Sequence, residues 1–342
     1  MTSRKLGAVV AVVALLLAGC GGYDDTPLPK PDAATSSSST PVECSSDLSP
    51  LISYDPGTGE PTGPKVEEIR AAQVLKVGVS ADTYLMASRN PASNKIEGFD
   101  IEFVRAIGAA LFDNDGNGQP FEVGKNIQFV VINAAERIPA LQDGRVDLVV
   151  RNFTINCERW DQIAFSAEYY HASQKVLVRS ELAPTYTGVD ALAGKKVCAP
   201  TGSTSIGNLQ DVQPDAIIVP AANHTGCLIK LQRGEVDAIT GDDTVLAGLA
   251  AQDPYAVVPP PCDEVPVAPC QDPLTDEPYG IGANSGDKDL VRFVNYVVKQ
   301  MEDDGDWDRA YSRWLKGPLG KCESDCEPGD QGIPPAQIFG RV

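Results

Sequence analysis

Apolar and polar residues alternate over residues 74–79 (Val-Leu-Lys-Val-Gly-Val), the period of a strand with one buried face. A short helix over 66–73 precedes it. After a loop the apolar positions change period: Phe99, Ile101, Phe103, Val104, Ile107 and Leu111 share one helical face and predict an amphipathic helix over 100–112. The pattern then repeats, with a strand at 127–131, a helix at 134–142 and a strand at 147–150. Strands alternating with helices in this way imply parallel βαβ units. A second set with the same grammar follows, at 196–199, 205–209, 216–219, 225–232 and 237–240. Between the sets lies an extended run at 175–179, and after the second set another at 279–283, each suited to crossing between lobes. Helices at 288–302 and 306–315 then return to the first lobe. The expected fold class is therefore α/β, with two lobes, two hinge crossings and a ligand cleft between the lobes. The first lobe comprises 65–177 plus 281–320, and the second 178–280.

The ends of the chain read differently. Arg4 and Lys5 precede an apolar run from Leu6 to Ala18, the layout of a secretory signal. That run is about 13 residues, short of the ~20 that cross a bilayer. It ends in Leu17-Ala18-Gly19-Cys20, which resembles a bacterial lipoprotein signal. The resemblance implies a signal peptide over 1–20, lipidation of Cys20 and a protein held at the membrane by that lipid. Residues 21–64 are rich in Ser, Thr, Pro, Gly and Asp without an apolar period, and read as a flexible stalk, with local order around Cys44, Leu48, Leu51 and Ile52 if Cys44 is bridged to the folded body. Residues 321–342 form a C-terminal tail.

The 342 residues carry 28 Lys+Arg against 47 Asp+Glu, a formal net charge of -19, which argues against nucleic acid as a partner. A local cationic pocket is compatible with that sum. Of the nine Cys, Cys20 aside, the eight that remain form an even number in an exported chain and favour disulfides. Proximity in sequence favours Cys262 with Cys270 and Cys322 with Cys326, and Cys198 with Cys227 is a further pair within one lobe; Cys44 and Cys157 complete the eight. With no Cys-x-x-Cys pair and only His171 and His224, no metal site is expected. Residues 113–118 match the first half of a calcium loop, but Gly124 stands where its bidentate Glu belongs, so a polar turn is the expectation. No catalytic signature such as Gly-x-Ser-x-Gly is present.

Several segments, in order, resemble the bacterial solute-binding proteins that capture polar amino acids for ABC importers. They are residues 96–102 (Ile-Glu-Gly-Phe-Asp-Ile-Glu), 137–147 (Arg-Ile-Pro-Ala-Leu-Gln-Asp-Gly-Arg-Val-Asp), 154–159 (Thr-Ile-Asn-Cys-Glu-Arg), 165–170 and 234–239. The resemblance covers most of 65–315 and implies the periplasmic-binding-protein-like form of the two-lobed fold. It also implies roles. Arg159 is expected to grip the ligand's α-carboxylate, a task suited to a planar guanidinium that stays charged. Thr154 assists it, and Asn152 belongs to the same ligand-binding segment. Asn156 stands where the family usually has a second Thr. Ser203 and Thr204, in the turn after the second lobe's first strand, are expected to complete the carboxylate site at a helix N-terminus. Asp242 is expected to accept from the ammonium, with Asp243 as a helix-terminal partner. Arg89, in an Arg-Asn-Pro element, is expected to pair a side-chain carboxylate, and Tyr84 to wall the pocket.

The implied function is capture, by hinge closure and without a cofactor, of a free polar amino acid: aspartate, asparagine, glutamate or glutamine. The partner is an ABC permease or, in an alternative reading, a membrane signalling receptor to which the closed form is presented. The protein is expected outside the cytoplasm, lipid-anchored and monomeric, and is not expected to be an enzyme. An enzyme built on the same fold is the third reading.

Overall fold

The computed structural model describes residues 49–113, 121–260, 262, 270–320, 332–334 and 336–341. The first lobe is built on a sheet whose strands run in the order Ile127–Val131, Leu75–Val79, Leu148–Val149, Gly282–Ala283 and Ala164–Phe165. The first three are parallel, with Val77 opposite both Phe129 and Leu148, and the returning strand is antiparallel, with Gly282 opposite Val149. The helix Phe99–Phe112 buries the apolar face read from its spacing, including Phe99, Phe103, Val104 and Ile107. The helices Lys288–Asp303 and Asp306–Trp314 join the same core through Leu290, Phe293, Val294 and Trp307.

The second lobe's sheet runs Ile217–Ala221, Lys196–Pro200, Ala238–Asp242 and Tyr170–Arg179, and both Ala256–Val257 and Thr275–Tyr279 pair with the last of these. Its core holds Leu177, Leu228, Leu231, Ile239, Leu246 and the disulfide Cys198–Cys227. A second disulfide joins Cys262 to Cys270, and Cys157 is also disulfide-bonded. Cys20, Cys44, Cys322 and Cys326 lie outside the described residues, as does the calcium-like run except Asp113, whose carboxylate accepts from the Phe121 N–H at 2.7 Å.

Two boundaries differ from the sequence reading. The run 175–179 was expected to cross between lobes, but Val176, Leu177 and Val178 are buried in the second sheet, with Asp242 opposite Gln174 and Ala238 opposite Val178. The crossing lies just before them, where Tyr170 pairs with Tyr279 of the returning strand. The consecutive apolar residues Val176, Leu177 and Val178 mark burial on both faces, which a linker reading misses. The stalk expectation is also corrected at its end. Ile52–Tyr54 forms a parallel strand with Ile338–Arg341, which the tail expectation had placed outside the folded body. Asn295 donates to the Tyr54 carbonyl (2.7 Å) and to the Ser53 hydroxyl (2.9 Å), and that hydroxyl donates to the Phe165 carbonyl (2.8 Å). Three residues are too few to show a period among Ser and Pro, so the local order expected around Leu51 and Ile52 does not by itself read as a strand.

The two crossings lie side by side and are held by aromatic packing. Trp307 stacks on Tyr311 with ring centroids 5.3 Å apart, and its indole N–H donates to the Tyr169 carbonyl at 2.7 Å. The lobes touch: the Arg137 Nη2 donates to the Gly202 carbonyl (3.1 Å) and the Thr225 hydroxyl to the Asp82 carbonyl (3.2 Å).

Candidate functional site

Parallel α/β sheets place ligands beyond the carboxyl ends of their strands. Both sheets here aim those ends at one cleft. Leu148–Val149 leads into Arg151, Asn152 and Thr154, Lys196–Pro200 into Ser203, Thr204 and Ser205, Ile217–Ala221 into His224, and Ala238–Asp242 ends on Asp242. These side chains, with Arg137, enclose a cavity between the lobes with about 20 Å³ of room for the centres of water-sized molecules. That is space for about one water.

Asp242 is 5% exposed and its Oδ2 accepts from the Tyr279 hydroxyl at 2.7 Å. Burial, aided by the charges of Glu277 and Asp243, pushes its carboxyl up to about 8 against the opposing hydrogen bond from Tyr279 and the charge of Arg137. The neighbouring Asp243 lines a different groove, with Lys175 and Leu319, and its Oδ1 accepts from the Thr244 N–H. Of the adjacent pair, only Asp242 faces the cavity.

Across the cavity the hydroxyls are engaged elsewhere. Thr154 and Thr204 both donate to Glu277 Oε2, at 2.6 and 2.7 Å, and Asn208 and Thr275 donate to Glu277 Oε1 at 2.5 and 2.9 Å. Glu277 is 1% exposed and lies on the strand Thr275–Tyr279. The Ser203 hydroxyl turns back to the Pro200 carbonyl at 2.7 Å. An anion here would therefore meet the N–H groups of the first turn of the helix Thr204–Val212, which lack intrahelical acceptors, rather than those three hydroxyl protons.

Arg159 is 7% exposed, lies over the Phe153 ring with 5.0 Å to its centroid, and donates from Nη1 to the Thr154 carbonyl at 2.6 Å. It lines the neighbouring groove of about 330 Å³, while Arg137 lines both that groove and the Asp242 cavity. Burial lowers the pKa of each, and for Arg137 the charges of Arg159 and Arg151 add to the effect. The departure at Asn156 has a local reason: its side chain caps the helix Cys157–Trp160 by accepting from the Arg159 N–H at 3.0 Å, fixing where Arg159 begins.

Asn152 adopts φ 33°, and its N–H donates to Asp100 Oδ2 at 3.0 Å. Asp100 is fully buried, also accepts from the Tyr169 hydroxyl at 2.8 Å, and is pushed up to about 6 by burial. Two expectations are corrected. Arg89 is exposed on the outer hairpin and donates to the Asn94 carbonyl at 2.9 Å, so it does not line the cavity. Tyr84 is 44% exposed; its part in the cleft is its backbone carbonyl, which lies against Gly248 of the other lobe. Arg-Asn-Pro is a turn signal as much as a binding signal, and here the turn reading prevails.

Sequence reasoning assigned no role to Arg137, Arg151, His224 or Glu277. Arg151 carried a usable signal, a cation at the carboxyl end of an otherwise apolar strand. Glu277 carried none, because only the fold brings its strand between the two Thr hydroxyls.

Residues 75–317 match the bacterial extracellular solute-binding proteins, family 3. The chain is 33% identical over 241 residues to the ABC transporter glutamine-binding protein GlnH of Bacillus subtilis (strain 168), covering 70% of this chain and 80% of that one. It is 29% identical over 296 residues to the glutamine-binding protein of Geobacillus stearothermophilus, covering 85% and 97%. Among solved structures, the ancestral amino acid-binding protein AncCDT-1, a precursor of cyclohexadienyl dehydratase, superposes with a TM-score of 0.63 at 29% identity, covering 74% and 100%.

Proposed function

We propose that this chain, which belongs to the bacterial extracellular solute-binding proteins of family 3, captures a free polar amino acid in the cleft between its lobes for an ABC importer. One observation carries the reading: a buried carboxylate, Asp242, faces guanidinium groups and a free helix N-terminus across an interlobe cavity. Such a site is complementary to a zwitterion. The ammonium pairs with Asp242, and the α-carboxylate meets the first turn of the helix Thr204–Val212 within the field of Arg137 and Arg159. Thr154 and Thr204 help by holding Glu277 in place rather than by offering their hydroxyl protons. A cavity the size of one water is too small for an amino acid, so the lobes must part to admit the ligand and then close over it, the hinge motion that two adjacent crossings allow. No bond is made or broken. Two relatives named as glutamine-binding proteins support a ligand among aspartate, asparagine, glutamate and glutamine.

Calorimetric titration of the purified protein with each of the twenty amino acids tests this. Binding is expected for one or more of those four and not for arginine or leucine; heat from none of the four would overturn the reading. Lipid on Cys20 would keep the protein beside its permease. Cys20→Ser is then expected to move it from the membrane fraction to the medium, and its retention in membranes would overturn the anchor.

A further inference from the structure

Three of the residues lining the cavity have a buried polar atom without a hydrogen-bond partner among the described residues: Arg151 Nε, Asn152 Oδ1 and His224 Nε2. Unpartnered buried polar atoms are uncommon in folded proteins, and three around one small space call for a common cause. The two guanidinium groups lining this cavity are in different situations. Arg137 is occupied: its Nε donates to the Ala134 carbonyl at 3.0 Å, its Nη1 to the Asn152 carbonyl at 3.0 Å and its Nη2 to the Gly202 carbonyl at 3.1 Å. Arg151 is 5% exposed with Nε unpartnered, and Asp82, Asp100 and Glu136 act on it through their fields. Asp100 is already engaged by Tyr169 and Asn152, and Asp82 by the Ser80 hydroxyl at 2.9 Å.

The charges point to a ligand. Two guanidinium groups and one carboxylate line the cavity, while the imidazole of His224, pushed down to about 4 by burial and then by Arg151, is neutral. A zwitterion's two charges are met by Asp242 and the helix N-terminus, which leaves the unpartnered Arg151 Nε to receive one further carboxylate.

We propose that Arg151 is the specificity-determining residue and that its guanidinium receives the side-chain carboxylate of an acidic amino acid, aspartate or glutamate. This rests on the amino-acid reading of the cleft and narrows it. Asn152 and His224 line the same cavity, and each has one unpartnered buried atom among the described residues. The assignment takes the role that the sequence gave to Arg89, which lies outside the cavity.

The test is a calorimetric comparison of aspartate with asparagine, and of glutamate with glutamine, on the native protein, Arg151→Gln, Arg151→Lys and Arg89→Gln. Native protein is expected to prefer the acid of at least one pair by about tenfold or more, the scale of a hydrogen bond to a charged group. Arg151→Gln should erase that preference mainly by weakening the acid, Arg151→Lys should keep part of it, and Arg89→Gln should leave it unchanged. Circular dichroism of each variant separates misfolding from lost recognition, and Arg151→Lys carries the test if the Gln variant does not fold. Equal losses for acid and amide, or a native preference for the amides, overturn the Arg151 assignment and leave the amino-acid reading standing. Native protein that binds none of the four overturns both.

Discussion

Replacing Asp242 by Asn is expected to weaken amino-acid binding by roughly 2 to 5 kcal/mol, the usual result of removing one partner from a desolvated charge pair. The same change at Asp243, which faces the Lys175 and Leu319 groove, should have a much smaller effect, and calorimetry on the two variants decides between them. The pH dependence gives a second readout. In the unliganded protein the Asp242 carboxyl is raised to about 8, above the 3.8 of an unperturbed Asp. A folded-state pKa raised in this way means that the native state holds its proton more tightly than the unfolded chain. This group's contribution to stability is therefore greatest below 3.8, falls as pH rises from there to about 8, and is level above that. A bound ammonium favours the carboxylate and reverses the shift, so binding should release a proton below about pH 8 and tighten as pH rises toward that value. Titrations in two buffers of different ionisation enthalpy measure the released proton. In Asp242→Asn both the proton release and the loss of unliganded stability between pH 4 and 8 should be reduced. A variant that keeps native affinity and native proton release would remove Asp242 from the site.

How much of this was legible before the fold was known differs by residue. The period-two and helical runs fixed the lobes because they record burial, and burial on one face is a local pattern: the strand at 75–79 and the helix at 99–112 were both readable. Asp242 was readable because it ends a strand and begins a helix, so its position in the cleft follows from chain order alone. Arg89 and Tyr84 were misplaced because a loop sequence does not say which way its hairpin points. The engagement of Thr154 and Thr204 was not legible for another reason. Each hydroxyl has one proton, and Glu277, 123 residues from Thr154, takes both. The strand at 52–54 was missed because its partner is supplied by residues 338–341 at the other end of the chain. Tertiary pairing of that kind leaves no local period.

If the lobes close over the ligand as proposed, the close approach at Gly202 makes glycine necessary there, and Gly202→Ala is expected to separate closure from folding. Gly202 adopts φ +79°, and a Cβ there would lie 2.6 Å from Ala135 Cα and 2.8 Å from Ala135 N, backbone atoms of the opposite lobe. Two costs would follow. The left-handed backbone is strained by roughly 1 to 2 kcal/mol for a residue with a Cβ, whether the lobes are open or closed. The clash with Ala135 exists only when they are closed. Overpacking of this sort costs about 1 to 3 kcal/mol, which by the same arithmetic reduces apparent affinity by about 5- to 150-fold, because the binding-competent closed state becomes scarcer. Two controls divide these effects. Gly188 has φ +102° with nothing among the described residues within 4 Å of an added Cβ, so Gly188→Ala should lower stability and leave affinity unchanged. Gly207, inside the helix Thr204–Val212, has no positive φ and an equally open surround, so Gly207→Ala should leave affinity unchanged and raise stability slightly. Affinity from calorimetry, with the ligand-induced change in radius of gyration from small-angle scattering, provides the check. If Gly202→Ala binds and contracts like the native protein, contact between Gly202 and Ala135 does not limit closure, and the close approach of Gly248 to the Tyr84 carbonyl is the next place to look.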